Sequence, residues 1–280
     1  MDNKILDRLK EWEGESQPSG IIQLYRELLQ IQSKAKSGIV VTKPKLAGDL
    51  VRDRLHQGIP LLLPSDFSPD WHQVPEVLEQ VALWLAKDPS SSPEEGEKLK
   101  NISRNLPLLK RAVITWYRGR SLKALAKKQG VDDVLLASAI RATLKPFLSA
   151  YSKLLMPAVD QEIWRRNYCP ICGGKPDFAY LDRERGARFL LCSQCDAEWL
   201  FLRLQCPYCG NQNQDGLAYF TDEEESYLYR LYVCEQCHTY IKAIDLRRTE
   251  AEVLLPLERV MTLDMDRQAQ EKGYKPGWAI

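Results

Sequence analysis

Apolar residues in the first 168 positions recur at intervals of three and four. Residues 20–36, GIIQLYRELLQIQSKAK, place Ile21, Leu24, Tyr25, Leu28, Leu29 and Ile31 near one helical face. Residues 70–87, DWHQVPEVLEQVALWLAK, do the same with Val74, Val77, Leu78, Val81, Trp84 and Leu85. Ser68 before Pro69 suits a helix start, and Pro75 suits a first turn. The polar stretch 86–98, AKDPSSSPEEGEK, predicts a surface loop. From Leu99 to Tyr168 helical patterns run almost without interruption. Pro146 lacks an amide hydrogen and predicts a kink or a helix end. These patterns predict an all-α domain over residues 1–166.

One segment, SLKALAKKQGVDDVLLASAI (121–140), has the outline of a helix-turn-helix, with Ala126 followed four residues later by Gly130. Its second helix would begin with Asp132 and Asp133, which repel phosphate. A helical hairpin packed in a core is therefore expected, not a nucleic-acid reader.

After residue 168 the pattern changes to short aromatic and aliphatic runs separated by polar turns. DFAYLD, RERG and RFLLC read as one β-hairpin, and LAYFTD, EEES and YLYRLYVC read as another. AEWLFLRL and TYIKAIDL each read as a further strand. The runs are punctuated by four Cys-x-x-Cys motifs, CPICG (169–173), CSQCD (192–196), CPYCG (206–210) and CEQCH (234–238). The repeating unit is knuckle, hairpin, knuckle, strand, used twice.

All eight cysteines of the chain lie in these motifs. Two cysteines separated by two residues can turn both sulfurs toward one ion, and glycine after the second permits a positive φ that aims backbone amides at the thiolates. Two such knuckles complete a tetrahedral four-sulfur shell suited to zinc or iron. The four pairs can combine sequentially, alternately or nested. Only the sequential combination explains the repeat. It places Cys169, Cys172, Cys192 and Cys195 in one site, and Cys206, Cys209, Cys234 and Cys237 in the other. Four thiolates leave little room for a water ligand, so a catalytic metal is not expected. Iron–sulfur clusters usually show tighter cysteine runs, and a thioredoxin-type pair needs a βαβ context; neither occurs here. His238 reads as a surface neighbour of the last cysteine. Asp222 to Glu225 read as a solvated acidic turn. The tail, AEVLLPLERVMTLDMDRQAQEKGYKP, reads as a helix after Pro256, with Leu257, Val260, Met261 and Met265 as docking residues.

The fold class so predicted is α+β and multidomain. A helical domain (1–166) precedes two rubredoxin-like or zinc-ribbon modules (167–205 and 206–250) and a helical tail (251–280). A formal net charge of +1 over 280 residues gives no global drive toward nucleic acid or an anionic membrane. The N-terminus lacks the apolar core of a signal peptide, and no apolar run approaches the ~20 residues that span a bilayer. A cytoplasmic location is expected, where disulfides are rare.

The segments CPICGGKP, RFLLCSQCDAEWLFLRLQCPYCGN and CEQCHTYIKAIDLRRTEAEVLLPLERVMTLDM together resemble the FdhE-type formate dehydrogenase accessory proteins. The resemblance covers residues 168–274. It rests on the Cys-Pro-x-Cys-Gly opening, Glu198-Trp199, Arg203, and Tyr240 with Lys242. GVDDVLLASAIRATLKPFL also looks like that family's last helical segment, whereas the first 120 residues share only helical character. The resemblance implies a cytoplasmic, non-enzymatic maturation factor for molybdenum- or tungsten-containing formate dehydrogenase. Such a factor would bind the catalytic subunit and hold iron in rubredoxin-like sites, with the eight cysteines as ligands. The alternatives are a double zinc-ribbon module binding nucleic acid or protein, and a rubredoxin-like electron carrier.

Overall fold

The structure, a computed structural model, describes residues 2–11, 19–41, 44, 46–87, 92–221 and 227–279. The chain divides into two compact units, Met1–Pro44 with Leu62–Tyr151, and Lys45–Leu61 with Ser152–Ile280. The fold is α+β: a helical N-terminal region, then a sheet carrying the cysteines.

The first unit is built from α1 (Asp2–Glu11), α2 (Ser19–Gly38), α4 (Gln73–Leu85), α5 (Pro93–Arg104), α6 (Leu106–Tyr117), α7 (Lys123–Gln129) and most of α8 (Asp133–Leu155). The periodic residues Val74, Val77, Leu78 and Val81 of α4 are buried, as their spacing requires. Helix α5 starts at Pro93, inside the stretch expected to be a loop through residue 98. Its signal is a capping box: Ser92 Oγ accepts the Glu95 amide, and Glu95 Oε2 accepts the Ser92 amide, both at 3.3 Å.

Helix α8 does not end at Pro146. The missing proline amide leaves the Ala142 carbonyl without its helical donor, and the buried Gln32 side chain from α2 donates to it at 2.9 Å. Segment 121–140 is a core hairpin: Leu122, Ala126, Val131, Leu136, Ala139 and Ile140 are all buried. Asp132 is a helix cap, its Oδ1 accepting the amides of Val134 and Leu135 at 2.9 Å. Among the described residues no helix is long and apolar enough to cross a membrane.

The second unit holds α3 (Gly48–Gln57), seven strands, and helices α9 (Leu255–Met261) and α10 (Leu263–Glu271). The strands are β1 (Pro176–Leu181), β2 (Arg188–Cys192), β3 (Glu198–Phe201), β4 (Leu217–Thr221), β5 (Tyr229–Cys234), β6 (Thr239–Asp245) and β7 (Lys275–Pro276). Each repeat forms its antiparallel hairpin, β1–β2 with β3 added and β4–β5 with β6 added. The acidic turn at 222–225 lies outside the described residues.

The two repeats share one sheet, in the order β3-β2-β1-β6-β5-β4. The join is parallel, from Phe178 opposite Lys242 to Leu181 opposite Asp245. The short β7 pairs with the start of β6. Strand β6 is central, and all seven of its residues are buried, polar Thr239, Lys242 and Asp245 included. The tail forms two helices meeting at Thr262, not the single expected helix, followed by β7. Lys242 Nζ donates to the carbonyls of Arg259 and Thr262 at that break, at 3.0 and 3.1 Å.

Candidate metal centre

Each knuckle is a tight turn whose geometry follows from its sequence. In CPICG the Cys169 amide bonds the Gly174 carbonyl at 2.8 Å, and the Gly173 amide bonds the Cys169 carbonyl at 3.0 Å. CPYCG repeats this with Cys206 to Asn211 at 2.8 Å and Gly210 to Cys206 at 3.1 Å. The residue after the second cysteine is left-handed in all four knuckles: Gly173 (φ 74°), Asp196 (57°), Gly210 (78°) and His238 (51°). Glycine accepts this backbone without strain. In the looser knuckles Asp196 and His238 adopt it despite their Cβ atoms. The turns aim amides at sulfur, from Ile171 to Cys169 at 3.3 Å, and at 3.4 Å from Gly174 to Cys172, Gln194 to Cys192 and Tyr208 to Cys206.

The knuckles converge in sequential pairs. Cys169, Cys172, Cys192 and Cys195 form one group and Cys206, Cys209, Cys234 and Cys237 the other, with all sulfurs of a group within 4.8 Å of one another. The first group is largely enclosed; in the second, Cys209 is exposed and Cys237 half-buried. Sulfur pairs stand 3.5 Å apart for 169–195, 172–192 and 172–195, and 3.7 Å for 206–237 and 209–234. A disulfide would bring them to about 2.05 Å. A tetrahedral shell with metal–sulfur bonds near 2.3 Å sets sulfurs about 3.8 Å apart. The donor sets therefore fit a tetrathiolate ion, and each group could hold one.

The electrostatics agree. Hydrogen bonding with Cys169 and the neighbouring thiols pushes the Cys172 thiol up, and burial pushes Cys195 up. At Cys192 burial also opposes ionisation, but donors from the other three thiols and the Gln194 amide outweigh it and lower its pKa. A divalent ion would let all four ionise.

The frame around the first group is dense. Gly174 packs so close that a Cβ there would stand 3.1 Å from the Cys192 sulfur. The segment before α4 closes on the same knuckle: the Leu61 amide donates to the Pro170 carbonyl at 2.8 Å, and Tyr168 Oη to the Gly58 carbonyl at 2.6 Å. From α9, Arg259 donates to Asp177 at 2.9 Å, to Asp196 at 2.5 Å and to the Cys192 carbonyl at 2.7 Å. At the second group Tyr208 Oη donates to the Pro176 carbonyl at 3.0 Å, and a Cβ at Gly277 would stand 2.3 Å from the Tyr208 ring. Neither Arg259 nor Gly277 carries a motif that sequence reasoning could seize. Exposed His238 stands outside the sulfur group, its ring 6.4 Å from that of Tyr274.

Comparison with known proteins bears on this arrangement. The family model described as FdhE, central domain, matches residues 168–203. A protein FdhE homolog of Aquifex aeolicus is 37% identical over 150 residues, covering 52% of each chain. Over that stretch the chain is similar to FdhE proteins. An FdhE homolog of Shewanella oneidensis is 29% identical over 138 residues, 48% of this chain and 45% of that one. Protein FdhE of Escherichia coli is 28% identical over 112 residues, 39% of this chain and 35% of that one. The matched stretch thus spans about half or less of these FdhE relatives. The crystal structure of the FdhE protein from Pseudomonas aeruginosa superposes with a TM-score of 0.62 and 22% identity, over 98% of this chain and 92% of that one. That likeness concerns the fold. The residues that carried the FdhE resemblance have structural places. Trp199 is buried and donates to the Arg166 carbonyl at 2.8 Å, and Glu198 accepts Tyr180 Oη at 2.7 Å. Tyr240 and Lys242 both bond Asp266 of α10, at 2.8 and 2.5 Å.

Proposed function

We propose that this chain is an accessory protein for the maturation of molybdenum- or tungsten-dependent formate dehydrogenase. In this reading it binds the catalytic subunit and carries two metal ions, iron or zinc, in tetrathiolate sites. The observation that supports it is the pair of four-sulfur groups on one sheet in a chain similar to FdhE proteins. Cys169, Cys172, Cys192 and Cys195 would hold one ion, and Cys206, Cys209, Cys234 and Cys237 the other. Four thiolates fill a tetrahedral ion and leave no position for water or substrate, which supports binding over catalysis. Eight free cysteines suit a reducing compartment, so we place the protein in the cytoplasm.

Residues 167–205 and 206–250 each act as a metal module in this reading, joined through β1 and β6. The chemistry a bound ion would supply is chiefly structural with zinc; with iron it includes one-electron exchange. A second reading, electron transfer, draws on the exposure of Cys209, which brings the second site to the surface.

The test is co-purification of the full chain with a formate dehydrogenase catalytic subunit from the native host, with metal analysis of the same sample. Retention of the subunit and two metal ions per chain are expected. Formate dehydrogenase activity that is normal in a strain deleted for this protein would overturn the maturation role. Colourless protein loaded with zinc would overturn electron transfer.

A further inference from the structure

The face of the sheet opposite α10 holds a cavity of about 320 Å3. Leu231 and Val233 of β5 pack toward Met265 and Ala269 of α10. Arg230, Tyr232 and Cys234 alternate with them and line the cavity. Arg188 of β2, Arg203 and Tyr219 of β4 line it as well. No aspartate or glutamate does so among the described residues.

The charges in this wall are unbalanced. Arg230 is paired with Asp245 at 2.7 Å. Arg188 is only 3% exposed, donates to the carbonyls of Leu202 and Gln205, and has no carboxylate partner among the described residues. Its guanidinium carbon lies 5.2 Å from the Phe201 ring centre and 5.8 Å from that of Tyr232. Burial lowers its pKa to about 10, which leaves it a cation at neutral pH. The anionic group its surroundings offer is the thiolate of Cys206, a ligand of the proposed second metal site, and no carboxylate among the described residues adds to it. Three buried donors also lack partners among the described residues, Nε of Arg188, Nε of Arg230 and the Tyr232 hydroxyl, and all three residues line this cavity. Buried polar groups left unsatisfied in this way call for a partner, whether ordered water, an ion or a ligand.

We propose that this cavity binds a small anionic molecule bearing a flat ring, its phosphate or carboxylate held by Arg188, Arg203 and Tyr232. The size fits: a cavity of about 150 Å3 accepts benzene, and this one has room for a ring and an anionic group. Tyr219 and Tyr232, with ring centres 5.6 Å apart, supply the aromatic wall. The cavity adjoins the second sulfur group, since Cys206 and Cys234 are among its lining residues.

Calorimetric titration of the metal-replete full chain tests this. Adenosine 5′-monophosphate and 2-naphthoate serve as the ring-bearing phosphate and carboxylate, with inorganic phosphate and adenosine as the separated parts of the first, and acetate and 2-naphthol as the anion-only and ring-only controls for the second. At least one ring anion is expected to bind once per chain, more tightly than either part. Which one binds distinguishes phosphate from carboxylate recognition. Arg188→Met removes the buried cation and is expected to abolish binding. Arg203→Gln changes an exposed side chain, and Tyr232→Phe removes one hydroxyl, so both keep the test open if Arg188→Met fails to fold. Each is expected to weaken binding by roughly tenfold. The proposal is overturned if neither ring anion binds at millimolar concentration, if inorganic phosphate binds as tightly as the nucleotide, or if both milder variants bind like wild type.

Discussion

Replacing Arg259 with methionine would release the tail helix from the first cysteine group. The guanidinium makes three contacts, with Asp177, Asp196 and the Cys192 carbonyl. Methionine keeps much of the aliphatic stem and removes all three. Breaking a buried ion pair typically costs about 3–5 kcal/mol, because the surviving charge is stranded. Here the Arg259 side chain is 14% exposed and both aspartates 20%, so water replaces part of what is lost. A cost of about 2–3 kcal/mol follows. For a unit of this size that lowers the unfolding midpoint by roughly 5–10 °C. Asp196 is the left-handed residue that follows Cys195, so its release should also loosen the knuckle. Arg259→Met is therefore expected to give up metal to a chelator faster than wild type. Thermal unfolding by circular dichroism and chelator-release kinetics are the assays, with Asp196→Asn and the double variant completing a cycle. An unchanged midpoint together with unchanged release would refute the reasoning. So would additive effects of Arg259→Met and Asp196→Asn.

Three further outcomes are expected. Gly277→Ala places a Cβ within 2.4 Å of the Tyr208 ring and should destabilise the second unit by about 1–3 kcal/mol in urea unfolding; an unchanged midpoint would show that the C-terminus does not brace that knuckle. Gln32→Met should cost about 1–3 kcal/mol, because it strands the carbonyl that Pro146 frees in α8, and Gln32→Met combined with Pro146→Ala should recover most of that loss. Burial alone would raise the pKa of Asp245, but hydrogen bonds and charge from Arg247, with Arg230 beside them, hold it below the ordinary 3.8. Its contribution is thus fully present above the unfolded value and lost as pH falls through the lower folded value; Asp245→Asn should flatten wild-type acid sensitivity below about pH 4, read by acid unfolding followed by circular dichroism.

The repeat was legible because the grouping of the sulfurs is written locally. Two knuckles of fixed spacing and a hairpin between them specify one turn, one sheet pair and one sulfur group with no distant information. The helical periodicity of α4 and the hairpin at 121–140 were legible for a similar reason, since each buries a stripe encoded within a dozen residues. The start of α5 was also encoded, in Ser92 and Glu95, but a count of polar residues in the same window pointed to a loop. Pro146 misled because its cost depends on a residue far away in sequence: Gln32 supplies the missing donor, and nothing near Pro146 announces it.

The ten residues between the central knuckles imply two modules side by side; that they share one sheet was not legible, and this has a physical cause. Each repeat predicts a closed three-stranded unit, and strand edges carry no sequence label for their partners. In the fold the edge of β1 is covered by β6. The hydrophobic cluster of Phe178, Leu191 and Ile244, with Tyr229 packed against it, therefore draws on both modules. Neither module has a complete core without the other. Units this small depend on metal for much of their stability, so in the proposed reading an ion held by one sulfur group stabilises the strands that position the other. The all-buried β6 transmits that dependence. Lys242, in the middle of this strand, fastens α9 and α10 over the junction through Asp266 and two tail carbonyls. The tail is thereby a structural part of the two-site sheet, which explains why residues as far apart as Asp177 and Arg259 belong to the surroundings of one cysteine group.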